Sequence, residues 1–589
     1  MKKITFLLLA LILFSCDDFL EREQYDKVSS EGFFKTENDL LLYSNSFLNT
    51  MIPDYDGGLA YGDAAVDNIT NDKVTPFYLG SWTAEQQSGW STGVWGKLRN
   101  INYFLDNMGT AKVDESVAKH FEGVGRMWRA IFYFDMVRTF GGVPWYEHEI
   151  SSSDNEMLFK PRDTREFVMG KVLEDLNFAA ANCSSNSKYV SSSNVVSKWV
   201  ALAFKANICL YEGTYRKYHT ELNLTSSANT FLNEAANAAL EIMNNGPYAL
   251  VNSPSTLQTQ YRALFTSDKL QTKEVILGVN YAEGLREQYV TKNYYNVTAV
   301  GEHWGVTKDF VNTYLMLDGS RFTDKPGYET VLFKDEFNNR DLRMKQTLRY
   351  PGYKRTVSNV PNTAVPPSPQ TAATCYQFLK WSVDNDYYDS YGAYYDLPYL
   401  RYAEVLLDYA EAMAEMGKCD ETVWNKTIKL LRERAGVNGA VPATYDPYLA
   451  NYYMNQTTDK WILEIRRERG IELIMEDRRE EDLMRWKLGN LLTKPWFGMY
   501  VPAINTLMDL DGNGTYDFYA ADKTVPDKDK VKGVVYIAPG EGTYRGLTNG
   551  NSGYLKVLNE RVWEDKMYLK PIPRTAIIIS PNLQQNQGW

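Results

Sequence analysis

The chain of 589 residues contains few of the side chains that build metal centres and nucleophilic triads. Its five cysteines include no C-x-x-C pair, and its four histidines never stand at i and i+4. Zinc and redox motifs need such spacings, and a triad needs a histidine base. The sequence therefore argues against these kinds of catalysis. It leaves open a disulfide among the later cysteines, which are Cys183, Cys209, Cys375 and Cys419.

Long basic runs are also absent. The chain carries 63 Lys and Arg residues against 74 Asp and Glu residues, a formal net charge of −11. A protein that binds the phosphate backbone needs clustered positive charge. No nucleic-acid partner is expected.

Only one apolar run is long enough to act as a signal, and it lies at the start. It spans residues 4–14, too short for a transmembrane helix but of the length of a secretory signal. It ends in LFSC, which resembles the lipobox of bacterial lipoproteins and predicts removal of residues 1–15 and lipidation of Cys16. Asp17 and Asp18 resemble the surface-export signal of Bacteroidetes lipoproteins. The alternative is an ordinary signal peptide with a chance cysteine.

What the chain does contain is aromatic residues and helical patterns. There are 42 Tyr, 25 Phe and 14 Trp residues. Apolar residues recur three and four apart, as in Phe121, Val124 and Trp128, and small residues such as Ala235 and Ala239 repeat in the same way. The pattern predicts a mainly α fold. Tetratricopeptide-like helix pairs would form one α-rich body with long irregular loop insertions and a few short strands.

Several stretches together resemble one family. They are RAIFYFDMVRTFGGVPW, LPYLRYAEVLLDYAEA, RRERGIELIMEDRREEDLMRWK and the closing YLKPIPRTAIIISPNLQQNQGW. In this order they are similar to the SusD/RagB family of outer-membrane nutrient-binding lipoproteins. The resemblance implies a tetratricopeptide-repeat fold and a lipid anchor facing the cell exterior. It further implies a TonB-dependent, SusC-like transporter as partner, with no catalysis and no required cofactor.

We expect residues 16–589 to form a single SusD-like domain. Its parts would be a helix-pair scaffold at 95–245 and 398–490, ligand-facing loops at 55–95 and 280–400, and a C-terminal loop region at 491–589. The expected function is capture of a nutrient glycan and its delivery to the transporter. Peptide capture by the same kind of complex, a glycoside hydrolase and a purely structural adaptor are the alternatives.

The ligand is expected to lie on aromatic faces from two distant segments. Trp82 and Trp90 stand among Gly, Ser, Thr and Gln, and Tyr294, Tyr295 and Trp304 stand in a second polar stretch without periodicity. Such surroundings indicate exposure, and the resembling family tends to build its sugar site from these two regions. A pyranose presents a C–H face to a ring and hydroxyls to polar neighbours. Asp67 and Asn68 would supply such neighbours.

A loop that resembles a calcium site runs from Asp509 to Asp517. Residues with oxygen-bearing side chains stand at every second position of this glycine-containing loop, as in calcium-binding loops. They are Asp509, Asp511, Asn513, Thr515 and Asp517. The bidentate glutamate of the EF-hand is missing, because position 12 is Ala520. A structural calcium ion and an Asx turn between two short strands both stay open.

A charged segment, KWILEIRRERGIELIMEDRREEDLMRW, reads as one helix. Its charges fall three or four apart, so Glu476/Arg479 and Glu481/Arg485 are expected to pair along its surface. A glycosidase needs two carboxyl groups that flank a cleft and have separated pKa values. A crowded ion-paired helix does not favour that chemistry.

Overall fold

The computed structural model describes residues 33–53, 63–71, 74–287, 303–390, 392–557 and 560–589. Cys16, Tyr294 and Tyr295 lie outside these ranges. The longer helices are α1 Glu37–Met51, α2 Thr92–Asn107, α3 Glu115–Phe140, α5 Arg165–Asn182, α6 Lys198–Tyr218, α7 Ala228–Asn245, α13 Tyr402–Glu415 and α17 Lys460–Glu472. The fold is mainly α, as predicted. Within the described residues, no helix is both long and apolar enough for a membrane span.

Short helices and strands connect this scaffold. The helices are α4 Asn155–Leu158, α8 Gln260–Ala263, α9 Lys308–Val311, α10 Phe333–Glu336, α11 Leu342–Thr347, α12 Tyr387–Ser390, α14 Glu421–Lys426, α15 Ile428–Arg434, α16 Pro447–Tyr452, α18 Arg479–Arg485 and α19 Arg574–Ile579. The strands are β1 Val275–Val279, β2 Lys354–Val357, β3 Val360–Ala364, β4 Leu397–Arg401, β5 Trp496–Val501, β6 Thr506–Met508, β7 Phe518–Ala520, β8 Val535–Ile537, β9 Tyr544–Leu547 and β10 Gly553–Val557.

The strands form four small sheets. β1 pairs antiparallel with β4, and β2 pairs antiparallel with β3. β10 lies between β5 and β9, with both pairings antiparallel. β7 pairs antiparallel with β6 and parallel with β8. The predicted few short strands are therefore present, and they lie outside the long helices.

Caps and glycines explain where the long helices end and meet. α3 ends at Gly141, whose φ of 78° suits glycine. A Cβ atom at Gly213 of α6 would lie 2.7 Å from Leu232 Cγ of α7, too close for any side chain. Likewise, a Cβ atom at Gly123 of α3 would lie 2.9 Å from Cys183 Sγ, just beyond α5. Small residues therefore let consecutive helices pack as close pairs, as predicted from the sequence.

The charged segment forms two helices rather than one. α17 ends at Glu472 and α18 begins at Arg479, and between them Met475 and Asp477 have φ values of 61° and 57°. Left-handed backbone at two non-glycine residues cannot continue a helix. The segment 421–434 is also divided, into α14 and α15, around Thr427 at φ −133°, ψ −91°.

The expected pairing along that helix surface is wrong. Glu476 pairs with Arg401 and Lys380 rather than with Arg479. Arg485 Nη2 lies 2.7 Å from Glu411 Oε2 of α13, and Glu481 pairs with Arg138 of α3. The charged side chains face inward, where partners from distant parts of the sequence pair with them. A rule based on local spacing cannot reveal such partners.

These contacts form a buried ion network that joins α13 and α17 to the loop region. Its arginines are Arg343, Arg401, Arg432, Arg434, Arg467, Arg469, Arg478 and Arg485, and all are buried. Arg469, for example, places Nη1 2.8 Å from Asp408 Oδ1 and Nε 2.8 Å from Asp482 Oδ2. Buried charges persist only when paired and hydrogen-bonded. The network therefore fixes the scaffold on which the loops are carried.

The four later cysteines are free thiols. Three of them, Cys183, Cys209 and Cys375, are buried, and burial raises the pKa of Cys183 and of Cys209 to about 12. They pack as small apolar side chains. No disulfide links them.

Candidate functional site

The segment with the predicted polar neighbours Asp67 and Asn68 meets the segment that contains Trp304, but below the surface. Thr70 N donates to Gly305 O at 2.9 Å, and Thr307 N donates to Asn68 O at 2.9 Å. This backbone pairing places residues 63–71 against residues 303–307 and buries the side chains of both. Trp304 is 1% exposed and belongs to a hydrophobic core, so its predicted exposure is wrong. Polar sequence neighbours suggested exposure, whereas long-range pairing decides it.

Asp67 and Asn68 are buried as well. One carboxylate oxygen of Asp67 accepts a hydrogen bond from Arg479 Nε at 2.9 Å. The other oxygen accepts hydrogen bonds from Arg479 Nη2 at 2.6 Å and from Tyr452 OH at 2.7 Å. Burial alone would raise the pKa of Asp67, but the charge of Arg479 holds it below its usual value. Asp67 therefore anchors α18 to this segment. It is not available to a ligand, contrary to the prediction.

Asn68 is fully buried, and its side-chain amide has no hydrogen-bond partner among the described residues. The backbone carbonyl of Asn68 nevertheless accepts from Thr307. The structure places this side chain inside the protein rather than on a sugar-binding face.

Trp82 and Trp90 lie half-buried on a loop beside the C-terminal tail. Trp82 Nε1 donates to Gln87 Oε1 at 3.0 Å. Trp90 packs edge-on against Trp95 and Phe140, with ring centroids 5.2 and 5.3 Å apart. The loop is held through Arg574 N, which donates to Ala84 O at 3.0 Å. Each tryptophan keeps part of its surface accessible, so their role in ligand binding stays a prediction.

The structure presents a further aromatic surface that the sequence analysis did not single out. It consists of Tyr387, Tyr388 and Tyr394, called here the tyrosine platform. Tyr387 is 54% exposed, and its ring centroid lies 5.2 Å from that of Tyr388 with the planes at 89°. The Tyr388 side chain interacts with Tyr394, and the nearby Tyr388 and Glu283 raise the pKa of Tyr394. The stretch DNDYYDSYGAYYD, dense in Tyr, Asp and Gly, is the signal that points to it.

The β2–β3 hairpin holds the platform in place. Asp384 Oδ1 accepts from Tyr353 OH at 2.6 Å and from Arg262 Nη2 at 2.7 Å. Asp386 Oδ2 accepts from Ser358 N at 2.9 Å, just before α12 begins at Tyr387. Tyr387 and Tyr388 therefore stand on a short helix whose entry is fixed by these polar contacts.

A pocket of about 300 Å³ lies where the β1–β4 sheet ends, and Asp268 on its wall is near enough to Tyr394 of the platform to act on its hydroxyl. Asp396 organises it by accepting from Tyr281 N at 2.8 Å, from Leu270 N at 3.0 Å and from Asn280 Nδ2 at 2.7 Å. Burial raises the pKa of Asp396. The polar residues on its wall are Ser192, Asp268, Lys269, Thr272, Asn280 and Asp396. Hydroxyl, amide and carboxylate groups thus converge beside aromatic rings, as in small-molecule sites.

The 509–517 loop connects β6 to β7. Gly512 N and Gly514 N donate to Asp509 at 2.7 and 3.0 Å, and Leu510 N donates to Asp517 Oδ2 at 2.8 Å. The carboxylate oxygens of Asp509, Asp511 and Asp517 lie within 4.8 Å of one another. Burial raises the pKa of Asp517, and Asp511 and Asp509 raise it further.

This geometry contains the Asx-type turn between short strands, and it gathers three of the five predicted ligands. Asn513 and Thr515 are joined to each other in the same loop, through Thr515 N donating to Asn513 Oδ1 at 2.7 Å. Carboxylates brought together in this way are the oxygen ligands that calcium prefers. A structural ion at this loop stays a prediction.

Paired helices that carry tyrosine-rich loops define the architecture of the protein, and comparisons with known proteins identify its family. The family model described as "SusD family" matches residues 273–589, more than half of the chain. A second model, described as "starch-binding associating with outer membrane", matches residues 18–210. The chain therefore belongs to the SusD family, a family associated with the outer membrane, as its motifs predicted.

Individual relatives agree with this assignment. Two SusD-like proteins of Formosa agariphila, P38 and P2, are 26% and 24% identical over 513 and 519 residues, covering 82% and 84% of this chain and 90% and 92% of theirs. A SusD-like carbohydrate-binding protein of Bacteroides fragilis superposes with a TM-score of 0.69 at 20% identity, covering 94% of this chain and all of that one. Another SusD-like protein of that organism gives 0.68 at 21%, covering 95% and 98%. The solved structures bear out the fold.

Proposed function

We propose that this protein is a surface lipoprotein that binds a nutrient glycan and passes it to a TonB-dependent, SusC-like transporter. Membership in the SusD family over most of the chain is the observation that carries the proposal. The lipobox-like sequence before Cys16 supports anchoring, and the acidic residues after it support an outward orientation. The tyrosine platform and its pocket supply a surface suited to sugar rings.

Glu464 illustrates why the ion pairs of the charged segment favour a structural role over glycoside cleavage. In the charged segment, Glu464 contacts Arg467 and Arg432, and although burial opposes it, these charges hold the pKa of Glu464 at about 2. A general acid for glycoside cleavage needs a raised pKa and a place beside a cleft. Glu464, which is buried and paired with two arginines, meets neither requirement.

Glycan binding is tested with the purified lipid-free protein on a panel of polysaccharides. We expect retarded migration in gels that contain the cognate glycan, and no new reducing ends after long incubation. Release of reducing ends would indicate a hydrolase. Binding of peptides in place of every glycan would favour the peptide alternative.

The partner is tested by extraction of membranes in mild detergent and affinity isolation of the lipoprotein. A stable complex of this kind is expected to bury on the order of 2,000 Å² or more, so it should survive moderate salt. We expect a TonB-dependent transporter to co-purify with the wild type. Recovery of the lipoprotein alone at every salt concentration would contradict delivery by a shared complex.

A further inference from the structure

We propose that the tyrosine platform and the adjoining pocket form the ligand site, and that the ligand is an uncharged glycan. The proposal rests on the proposed function and adds both the surface and the chemical class of the sugar. It is argued from ring geometry, from the polar groups of the pocket and from the charges around them.

The rings offer two stacking directions. Tyr387 and Tyr388 stand at 89° to each other, so a chain that stacks on one ring meets the other at a right angle. The more exposed ring, Tyr387, has about half of its surface available to a pyranose face. Such a corner suits a glycan that bends between successive units better than a flat ribbon-like polymer.

The pocket supplies the hydrogen-bonding groups next to these rings. Its volume of about 300 Å³ lies at the lower end of ligand sites, which is enough for roughly one or two sugar rings. Asn280 is held on both sides, since it accepts from Asn194 Nδ2 at 2.6 Å and donates to Asp396 Oδ2 at 2.7 Å. A pre-positioned amide of this kind loses little freedom when it binds a hydroxyl.

The charges around the site favour a neutral ligand. Among the described residues of the pocket wall, Lys269 carries the only positive charge, and its neighbour in sequence is Asp268. Asp268 and Glu283 lie close enough to Tyr394 to influence its hydroxyl, and Glu287 Oε2 lies against the Gly392 backbone. Carboxylates accept hydrogen bonds from sugar hydroxyls, whereas they repel sulfate and uronate groups.

Other described cations near the platform are already engaged, since Arg262 pairs with Asp384 and Arg355 pairs with Asp389. The guanidinium carbon of Arg286 lies 4.9 Å from the centre of the Tyr281 ring, and Arg286 Nη1 lies 3.5 Å from Asn49 Oδ1. The charges around the pocket and the platform act over about one Debye length, some 8 Å at physiological ionic strength. Among the described residues, Asp268, Glu283, Glu287 and Asp396 therefore outnumber Lys269, the cation of the pocket wall, and an anionic sugar would meet a net negative charge.

The test uses matched glycan pairs that share a backbone and differ in charge. Suitable pairs are hydroxyethyl- and carboxymethyl-cellulose, and methyl-esterified and de-esterified homogalacturonan, with starch, xylan and galactomannan as further neutral probes. We expect each glycan that binds to do so at least tenfold more tightly in its neutral form. The difference in affinity between the neutral and the charged form should shrink in 1 M NaCl, because salt screens the charges around the site.

Three variants locate the effect. Tyr387→Ala should weaken binding of the neutral glycan about tenfold, since a stacked ring face is lost. Tyr445→Ala, which removes another exposed tyrosine far along the chain, should leave it unchanged. The double variant Asp268→Asn/Glu283→Gln should tighten binding of the anionic partner about fivefold at low salt.

The outcomes separate this inference from the proposed function. If the protein binds an anionic glycan as tightly as its neutral partner, or if Tyr387→Ala binds as the wild type does, the inference is wrong while glycan capture stands. If no glycan in the panel binds, the proposed function itself is contradicted.

Discussion

Arg401 and Glu476 form a bidentate pair in the interior, with Arg401 Nε 2.8 Å from Glu476 Oε2 and Nη2 2.7 Å from Oε1. Lys380 Nζ adds a third contact, 2.7 Å from Glu476 Oε1. Glu476 lies in the turn between α17 and α18, and Arg401 ends β4. The pair therefore holds the turn, the sheet beside the pocket and the segment that leads to the tyrosine platform in one arrangement.

We predict that Glu476→Gln lowers the free energy of unfolding by about 3–5 kcal/mol, because it leaves Arg401 and Lys380 buried with less negative charge. Chemical denaturation followed by tryptophan fluorescence measures the change. The control is Glu115→Gln at the exposed pair with Lys119, which should leave the midpoint unchanged. Equal effects of the two substitutions would contradict the role given to the network.

The contribution of Asp63 to stability should fall as pH rises from about 4 to about 7. Burial raises the pKa of Asp63 to about 7, whereas the unfolded chain keeps the usual value near 4. Between those values the folded state holds a proton that the unfolded state has lost, so this contribution declines until about pH 7. Asp63→Asn should remove this slope, and its Tm relative to wild type should rise from pH 4 to pH 7.

Glu464→Gln provides a control of opposite sign for that experiment. Because the pKa of Glu464 is depressed to about 2, its contribution is complete above the unfolded value and disappears as pH falls towards 2. The substitution should therefore cost more stability at pH 7 than at pH 3. Parallel pH profiles of both variants and the wild type would contradict the two assignments.

For the 509–517 loop, we predict that a chelator lowers the Tm of the purified protein and that calcium restores it. The three clustered carboxylates repel one another without a cation, so ion binding should stabilise the loop. Asp511→Ala should abolish the response, whereas Asp529→Ala, on an exposed turn nearby in sequence, should retain it. An unchanged melting curve with chelator would leave the Asx turn as the full account.

Trp304 and Trp82 should behave differently when replaced. Trp304→Ala is expected to destabilise the protein by about 3–5 kcal/mol, because it opens a cavity in a core. Trp82→Ala should keep the wild-type melting curve, and if its accessible face touches glycan, affinity should fall about tenfold. Calorimetry on both variants, with circular dichroism as the folding check, separates the two roles. Unchanged affinity for Trp82→Ala would remove it from the site.

Anchoring is predicted to depend on Cys16. Cys16→Ala should move the protein from the membrane fraction to the soluble fraction, because multiple acyl chains are needed for stable attachment. Protease added to intact cells should degrade the wild type if it faces outward. Protection from protease would place it on the inner leaflet instead.

The sequence predicted those features that depend on local pattern. Helix α3 follows from the spacing of Phe121, Val124 and Trp128 and from the stop at Gly141, and the close helix pairs follow from their small residues. Both are properties of a short stretch. The fold class was accessible for that reason.

The burial of Trp304 and Asp67 was not accessible in the same way. Each is buried by a partner hundreds of residues distant, Trp304 through the pairing of Thr70 with Gly305 and Asp67 through Arg479. Charged and polar neighbours normally mark exposure, and they mislead wherever long-range ion pairs satisfy them. The buried network and the candidate site both depend on such contacts.

The buried arginine network also gives the scaffold a characteristic response to heat. The hydration of charged groups becomes less favourable as temperature rises, so the penalty for keeping Arg401, Arg469 and their partners away from water decreases. Hydrophobic burial gains little over the same range. The protein should therefore lose its stability more gradually on warming than a chain of equal size whose interior is purely apolar.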